Sequence, residues 1–248
     1  AMLAIASFLN GCTHSLFTNG QQSESLNLPS AKEYSKPASE RAQTTNADLE
    51  SPVTASTEPT AAEIDDLWQR IRAGYQLGQE QHPLIDEFVQ WFLAKQNTIE
   101  KSSDRATPLL FHIVESIEAQ GLPTEIALIP LLESGYRVHA RSPYGALGPW
   151  QFMPATGRQY GLTRTAYLDK RRDIVLSTKA SLTYLTYLHA QFHGDWLLAI
   201  AAYNGGPGTV RKALGNSRQS FWQIAHRLPP ETRQYVPKLL AAAKIIGS

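Results

Sequence analysis

An all-α fold is what this sequence predicts, and three observations predict it. Apolar residues recur at three- and four-residue spacing in successive segments from residue 64 onward, prolines and aspartates stand where helices would begin, and Gly135 stands where one would end. In a 248-residue chain, 42% apolar content is enough for one substantial core, so one folded domain is expected, over residues 63–248.

The elements follow in order. Ile64 to Leu77 and Leu84 to Lys95 carry helix-spaced apolar residues. Pro108 to Ala119 repeats the pattern with Leu109, Val114 and Ile117 inward, although Ile113 and Val114 are neighbours and cannot both centre one face. Pro123 suits the first turn of the next helix, which runs to Ser134 and closes at Gly135. Pro130 falls inside it, where a proline costs about 3 kcal/mol unless the helix bends, so a kink that aims Glu133 is expected. Asp173 caps a helix to about Ala190, with Ile174, Leu182, Leu185 and Leu188 toward the core, and Asp195 caps another to Tyr203. The last helix starts near Pro230 and carries Tyr235, Leu239 and Ile245.

Glu133 is the candidate catalytic residue. Every side chain from Ile126 to Leu132 is apolar, and a carboxylate held against such a wall has its charged form disfavoured. At a pKa near 4.3 roughly 0.2% of glutamates are protonated at pH 7, whereas a pKa near 6 leaves about 10% able to donate a proton. The plain alternative is a glutamate reaching solvent from a helix end. No second carboxylate in the C-terminal half stands out: Glu125 and Glu231 fall at helix starts, Asp173 and Asp195 at caps, and Asp169 in a charged loop.

Four blocks, in order, are Glu133-Ser134, GPWQFMPATGRQYGL from Gly148, AAYNGGPG from Ala201 and ETRQYV from Glu231. In these the chain resembles the lytic transglycosylases of the soluble-lytic-transglycosylase type, glycoside hydrolase family 23, and the likeness extends upstream to about Asp66. The resemblance implies a lysozyme-like domain with additional N-terminal helices and a catalytic core over about residues 105–248. It implies that Glu133 first protonates the glycosidic oxygen of peptidoglycan and then takes the proton of the sugar's own 6-hydroxyl, closing an anhydro ring without water. An N-acetyl group on the substrate supplies what a second carboxylate would otherwise do. It further assigns Ser134 to the substrate or to orienting Glu133, Gln151 to the N-acetyl group, and Tyr203 to Glu133 or the charged intermediate. Asn204 and Tyr235 complete the cleft. Phe152 and Met153 read as core or cleft floor. Pro149 stands where another apolar residue is usual, and Gly205 where alanine is usual. A goose-type lysozyme reaction, with water as acceptor, and a wall-binding scaffold without turnover are the competing readings.

Cys12 is the only cysteine, so no intramolecular disulfide is possible. It follows a short apolar run, MLAIASFLNG, and Leu9-Asn10-Gly11-Cys12 resembles a bacterial lipoprotein processing box. Residues 1–12 are thus expected to be a signal and lipidation segment. Residues 13–62, rich in Ser, Thr, Gln, Asn, Ala, Glu and Pro, are expected to be a disordered tether reaching on the order of 40 Å. That combination predicts a periplasmic, outer-membrane-anchored protein of a Gram-negative bacterium. Some members of the family continue into lysin-motif repeats; none occurs before Ser248, so either the catalytic part binds the wall unaided or the sequence is a piece of a longer protein.

Charge divides unevenly: residues 1–123 carry 8 Lys+Arg against 16 Asp+Glu, and residues 124–248 carry 15 against 6. A basic second half suits an anionic polymer, and no nucleic-acid motif accompanies it. Lys170-Arg171-Arg172 reads as a solvated corner. His189 and His193 are four apart, but no third ligand follows, so neither a metal nor a cofactor is expected.

Overall fold

The computed structural model describes residues 61–78 and 81–247 of the chain, with side chains from Leu67 onward. The proposed lipidation site Cys12, the segment 1–12 and nearly all of the tether 13–62 lie outside the described residues. The first helix, α1, spans Ala61–Ala73, so helical structure starts two residues inside the segment assigned to the tether and ends four short of Leu77.

Ten α-helices follow one another among the described residues, and strand pairing is limited to three isolated bridges, Arg141 with Leu147, Leu147 with Phe152, and Arg164 with Asp169. After α1 come α2 (Pro83–Leu93), α3 (Gln96–Glu118), α4 (Ile129–Ser134) and α5 (Pro154–Gln159). The remainder are α6 (Ile174–Gln191), α7 (Trp196–Gly205), α8 (Pro207–Leu214), α9 (Phe221–Ile224) and α10 (Pro230–Ile246). The expected all-α class is therefore the observed one.

The long C-terminal helix α10 packs on α2 and α7, and α6 packs on α7. The core residues Leu182, Leu185, Leu188, Ile200, Val236 and Leu239 are all fully buried. Each fully buried aliphatic side chain contributes roughly 1.5–3 kcal/mol relative to exposure. Asp173 and Asp195 cap α6 and α7 as expected, their carboxylates accepting the backbone N–H groups of Leu176 and Leu198, each at 2.9 Å.

Two departures from the sequence reading involve proline. Helix α3 begins twelve residues before Pro108 and runs through it. Residues 96–107 are mostly polar and gave no apolar period to read, and Pro108 sits on an exposed position, where its ring meets solvent. Helix α3 is covered by α1, α2, α6 and the segment after it, so Ile113 and Val114 are both fully buried despite adjacent positions. The second departure is at Pro130. Residues Thr124–Leu128 form a 3-10 helix, and the α-helix begins only at Ile129, which puts Pro130 in its first turn. There the missing N–H has no helical partner to lose and the expected cost does not arise. The change of helix type at Leu128 takes the place of the expected kink.

Candidate active site

Glu133 lies on the last turn of α4, 4% exposed, and the apolar residues before it are buried as expected. Gly135, at φ 57°, ends the helix, and Tyr136 continues in the same left-handed region at φ 58°. That conformation is unfavourable for a bulky residue, and it is held because the Tyr136 hydroxyl donates to the Ala127 carbonyl at 2.9 Å from within the core. The sharp reversal leaves the Glu133 side chain beside a cleft of about 150 Å³. Gln151, Phe152, Tyr184, Tyr203, Asn204 and Gly206 share its lining.

Burial dominates the electrostatics of the acid. It pushes the Glu133 carboxyl up from an ordinary value near 4.5 to about 8. The Tyr235 hydroxyl, donating to Oε1 at 2.6 Å, works in the opposite direction, and the charge of Glu231 adds to the rise. Tyr235 comes from α10, 102 residues away in sequence, so this bond exists only once the C-terminal helix has docked.

Opposite the acid stands the loop Gly148-Pro149-Trp150-Gln151, and nearly every residue in it is tied to a different part of the fold. The Gly148 N–H donates to the Ala140 carbonyl at 2.9 Å. The Pro149 carbonyl accepts from Ser134 Oγ at 2.9 Å, and the Trp150 carbonyl accepts from the Tyr203 hydroxyl at 2.9 Å. The Trp150 indole N–H donates to Thr178 Oγ1 at 3.0 Å. Gln151 has φ 50°, and its amide nitrogen donates to the carbonyls of Gly148 at 2.7 Å and Ala140 at 3.1 Å. With the nitrogen so engaged, the amide carbonyl oxygen is the end left for an incoming N–H.

Of the sequence-predicted residues, Glu133, Gln151, Tyr203 and Asn204 line one cleft, and Tyr235 reaches it through its bond to the acid. Ser134 is fully buried, and its hydroxyl lies against the backbone carbonyls of Pro130 and Pro149 rather than in the lining. Phe152 is 3% exposed and lines the cleft as well, so it is both core and floor. Gly205 also has a physical reason: a Cβ there would overlap the side chain of Thr232, which occupies the space a methyl group would need.

Sequence reasoning missed Arg171. Far from a solvated corner, it is 6% exposed and pairs bidentately with Asp169 at 2.9 and 2.7 Å. Its Nη1 also donates to the carbonyls of Gly145 and Phe152 at 2.7 and 2.9 Å, so it pins the two ends of the loop that carries Gln151. Gly148, at φ 82°, lies so close to Arg171 that any Cβ would overlap its carbonyl. An acid two residues before an arginine was the available signal, and it is a weak one. His189 stacks on Trp196 with centroids 3.9 Å apart and is bonded to the Gly194 carbonyl at 2.8 Å.

Residues 113–223 match the family model of the transglycosylase SLT domain. Membrane-bound lytic murein transglycosylase D of Escherichia coli strain K12 is 39% identical over 186 residues, which is 73% of this chain and 41% of that protein. The soluble lytic murein transglycosylase of the same strain is 34% identical over 116 residues, 44% of this chain and 18% of that one. Peptidoglycan transglycosylase gp16 of Escherichia phage T7 is 36% identical over 119 residues, 45% of this chain and 8% of that one. The chain thus spans less than half the length of each of these three curated relatives. Among solved structures, the 70 kDa soluble lytic transglycosylase from Escherichia coli aligns at a TM-score of 0.48 and 22% identity, over 68% of this chain and 31% of that one. The Glu133-Ser134, Gly148–Gln151 and Tyr203-Asn204 segments all fall within residues 113–223, the part of the chain that matches the transglycosylase SLT domain.

Proposed function

We propose that this chain is a peptidoglycan lytic transglycosylase that cleaves the β-1,4 bond between N-acetylmuramic acid and N-acetylglucosamine and leaves 1,6-anhydro-muramyl ends. The observation that carries this reading is the Glu133 carboxyl, whose pKa of about 8 keeps it about 90% protonated at pH 7. An acid in that state serves protonation of a leaving group at neutral pH. The names of the matched relatives, lytic murein transglycosylases and a peptidoglycan transglycosylase, support the same reaction class.

In the first step Glu133 gives its proton to the glycosidic oxygen as the bond to the anomeric carbon breaks. The substrate's N-acetyl oxygen stabilises the positive charge that develops there. In the second step the sugar's 6-hydroxyl attacks the anomeric carbon, and Glu133, now a carboxylate, takes its proton. One C–O bond has broken and another has formed, no water is consumed, and the acid is regenerated. Tethering of the attacking hydroxyl replaces the nucleophile a second carboxylate would supply. Glu231 raises the Glu133 pKa by its charge and is not among the residues lining the cleft, which suits an electrostatic role. The Tyr235 hydroxyl holds the carboxylate during the second step. Gln151 offers its amide oxygen to the N-acetyl N–H, Asn204 bonds the sugar, and Ser134 and Tyr203 act on the substrate through the loop they tether.

The test is mass spectrometry of muropeptides released from purified peptidoglycan by the full chain and by Glu133→Gln. Anhydro-muramyl products from the former and none from the latter are expected. Reducing ends would establish a goose-type hydrolase in its place, and wall binding without any release would establish a scaffold. For localisation we propose lipidation at Cys12 and a periplasmic, membrane-anchored catalytic domain on the tether of residues 13–62. Support comes from the lipoprotein-like sequence around Cys12 and from the membrane-bound relative. Among the described residues, no helix is long and apolar enough to cross a membrane. A Cys12→Ala variant that still fractionates with membranes would rule out the anchor.

A further inference from the structure

Large exposed apolar side chains are not scattered evenly over this molecule. Of the seven among the described residues, four, Tyr167, Leu168, Val175 and Leu176, fall within ten consecutive positions, and Tyr167 is wholly exposed. The backbone is built to hold them there. Residues 163–170 fold back as a short hairpin: the Lys170 N–H donates to the Thr163 carbonyl at 3.2 Å, Arg164 bridges Asp169, and the Thr165 N–H donates to the Leu168 carbonyl at 2.7 Å. The Thr165 hydroxyl accepts the Leu168 N–H at 3.0 Å, which closes the turn and leaves Tyr167 and Leu168 at its tip. Asp169, at the base, is locked to the buried Arg171, so the tip stands on a fixed support. Val175 and Leu176 lie in the first turn of α6, which begins directly after the 3-10 turn Lys170–Arg172.

The charges around these side chains are mostly of one sign. Arg164, Arg172 and Lys179 are exposed, and Lys179 follows Val175 by one helical turn, so the two share a face of α6. Asp173 is the one exposed acid from residue 163 to 179, and its carboxylate already accepts the Leu176 N–H as the helix cap. Neither the hairpin nor the first turn of α6 is among the residues lining the cleft of Glu133. A tip of two apolar side chains covers too little to hold a protein, since stable interfaces bury about 800 Å² on each partner. It suffices for a lipid surface, where a tyrosine ring and aliphatic groups enter the headgroup region while cations meet anionic phosphates.

We infer that the hairpin 163–170 and the first turn of α6 dock the catalytic domain onto an anionic lipid surface, with Tyr167 and Leu168 entering the interface and Arg164, Arg172 and Lys179 facing the headgroups. The inference rests on the membrane location proposed above for its setting. It adds to the acyl chain at Cys12 a second, reversible attachment made by the folded domain itself. A domain already tethered to the membrane meets that surface at high effective concentration, so a weak contact is enough to hold it there.

The experiment is sedimentation of the full Cys12→Ala chain, which has no acylation site, with vesicles of phosphatidylglycerol and phosphatidylcholine in equal parts and with vesicles of phosphatidylcholine alone, in about 50 mM salt. Binding to the anionic vesicles is expected to be at least tenfold tighter. Tyr167→Ser together with Leu168→Ser should weaken it at least fivefold, and Tyr167→Trp should retain it. Arg164→Gln together with Arg172→Gln should weaken it about tenfold, as should raising salt to about 300 mM. Equal binding to both kinds of vesicle, or unchanged binding in the serine variant, would overturn the assignment. So would a concentration-dependent dimer that the serine substitutions abolish, which would give the surface to a second copy of the chain. Because the tested chain cannot be acylated, failure here leaves the Cys12 anchor standing. Membrane retention of the unaltered chain in high salt, where the docking surface releases, reports the anchor alone.

Discussion

Two glutamates eight residues apart in one apolar segment, Glu125 and Glu133, are buried to nearly the same extent, 2% and 4% exposed, and do different work. Glu125 lies in the 3-10 turn and accepts the backbone N–H groups of Gln76 and Leu77, at 3.0 and 2.9 Å to Oε1. It clips the chain after α1 onto the segment that leads to the active site. Glu133 accepts one hydroxyl and faces a cleft. Burial raises the pKa of both; at Glu125 the backbone donors oppose the rise, and at Glu133 the charge of Glu231 adds to it. Glu125 thus has backbone donors aimed at its ionised form, and Glu133, the proposed acid, has a single hydroxyl against a burial that outweighs it.

The comparison breaks most clearly at Glu133→Gln, for which muropeptide release is expected to fall at least 10³-fold while the protein becomes more stable. The unfolded chain ionises this group near pH 4.5 and the folded chain only near pH 8. The acid therefore costs nothing below pH 4 and progressively destabilises the fold as pH rises between those values. At pH 7 the penalty is on the order of 3 kcal/mol, at about 1.4 kcal/mol per pH unit. Thermal denaturation is expected to show a gain of several degrees in the variant at pH 7 that vanishes near pH 4. An equal gain at both pH values would mean that the acid is not buried in its neutral form.

Glu125→Ala should behave in the opposite way, losing about 2 kcal/mol in denaturant titration because the buried Leu77 N–H and the Gln76 N–H both lose their acceptor. Activity per folded molecule should survive. A loss of kcat with unchanged stability would erase the distinction between the two carboxylates. Tyr235→Phe tests the single donor at Glu133. Since that bond lowers the acid's pKa, its removal should move the alkaline limb of the pH–rate profile to higher pH and reduce kcat by about tenfold. A limb that moves to lower pH would contradict the assigned sign. The smallest effect is expected at Ser134→Ala, about 1 kcal/mol of stability, with a larger rise in KM than fall in kcat as the Gln151 loop loosens. Steady-state kinetics and a melt on the same sample measure both.

The element pattern was legible where apolar spacing and capping residues agreed. Asp173, Asp195 and Pro230 marked helix starts that the structure keeps, within one residue. Reading failed where one signal stood alone. Pro108 suggested a start although the helix passes through it on an exposed face, and Pro130 suggested a kink although the chain had just changed helix type. For the site, an acid at the end of an apolar run singled out Glu133 and the family resemblance added Ser134, Gln151, Tyr203, Asn204 and Tyr235, but neither said what each touches in the fold. The resemblance assigned Ser134 to the substrate or Glu133 and Tyr203 to Glu133 or the charged intermediate, yet both hydroxyls donate to carbonyls of consecutive loop residues. Arg171 looked like one of three solvated cations and is buried, because Asp169 and two carbonyls happen to converge on it.

By itself the sequence determined the helical class, the caps, the isolation of one carboxyl at the end of an apolar run, and the family blocks around it. These are local properties: periodicity, turn chemistry and residue type within a few positions of one another. Only the tertiary structure decided that Tyr235 donates to Glu133 from 102 residues away, that Glu125 clips the backbone of Gln76 and Leu77, and that Arg171 is buried while Arg141 is exposed. A charge or a hydroxyl acquires its function from desolvation and from the partners that packing brings to it, and neither is encoded in the neighbours along the chain.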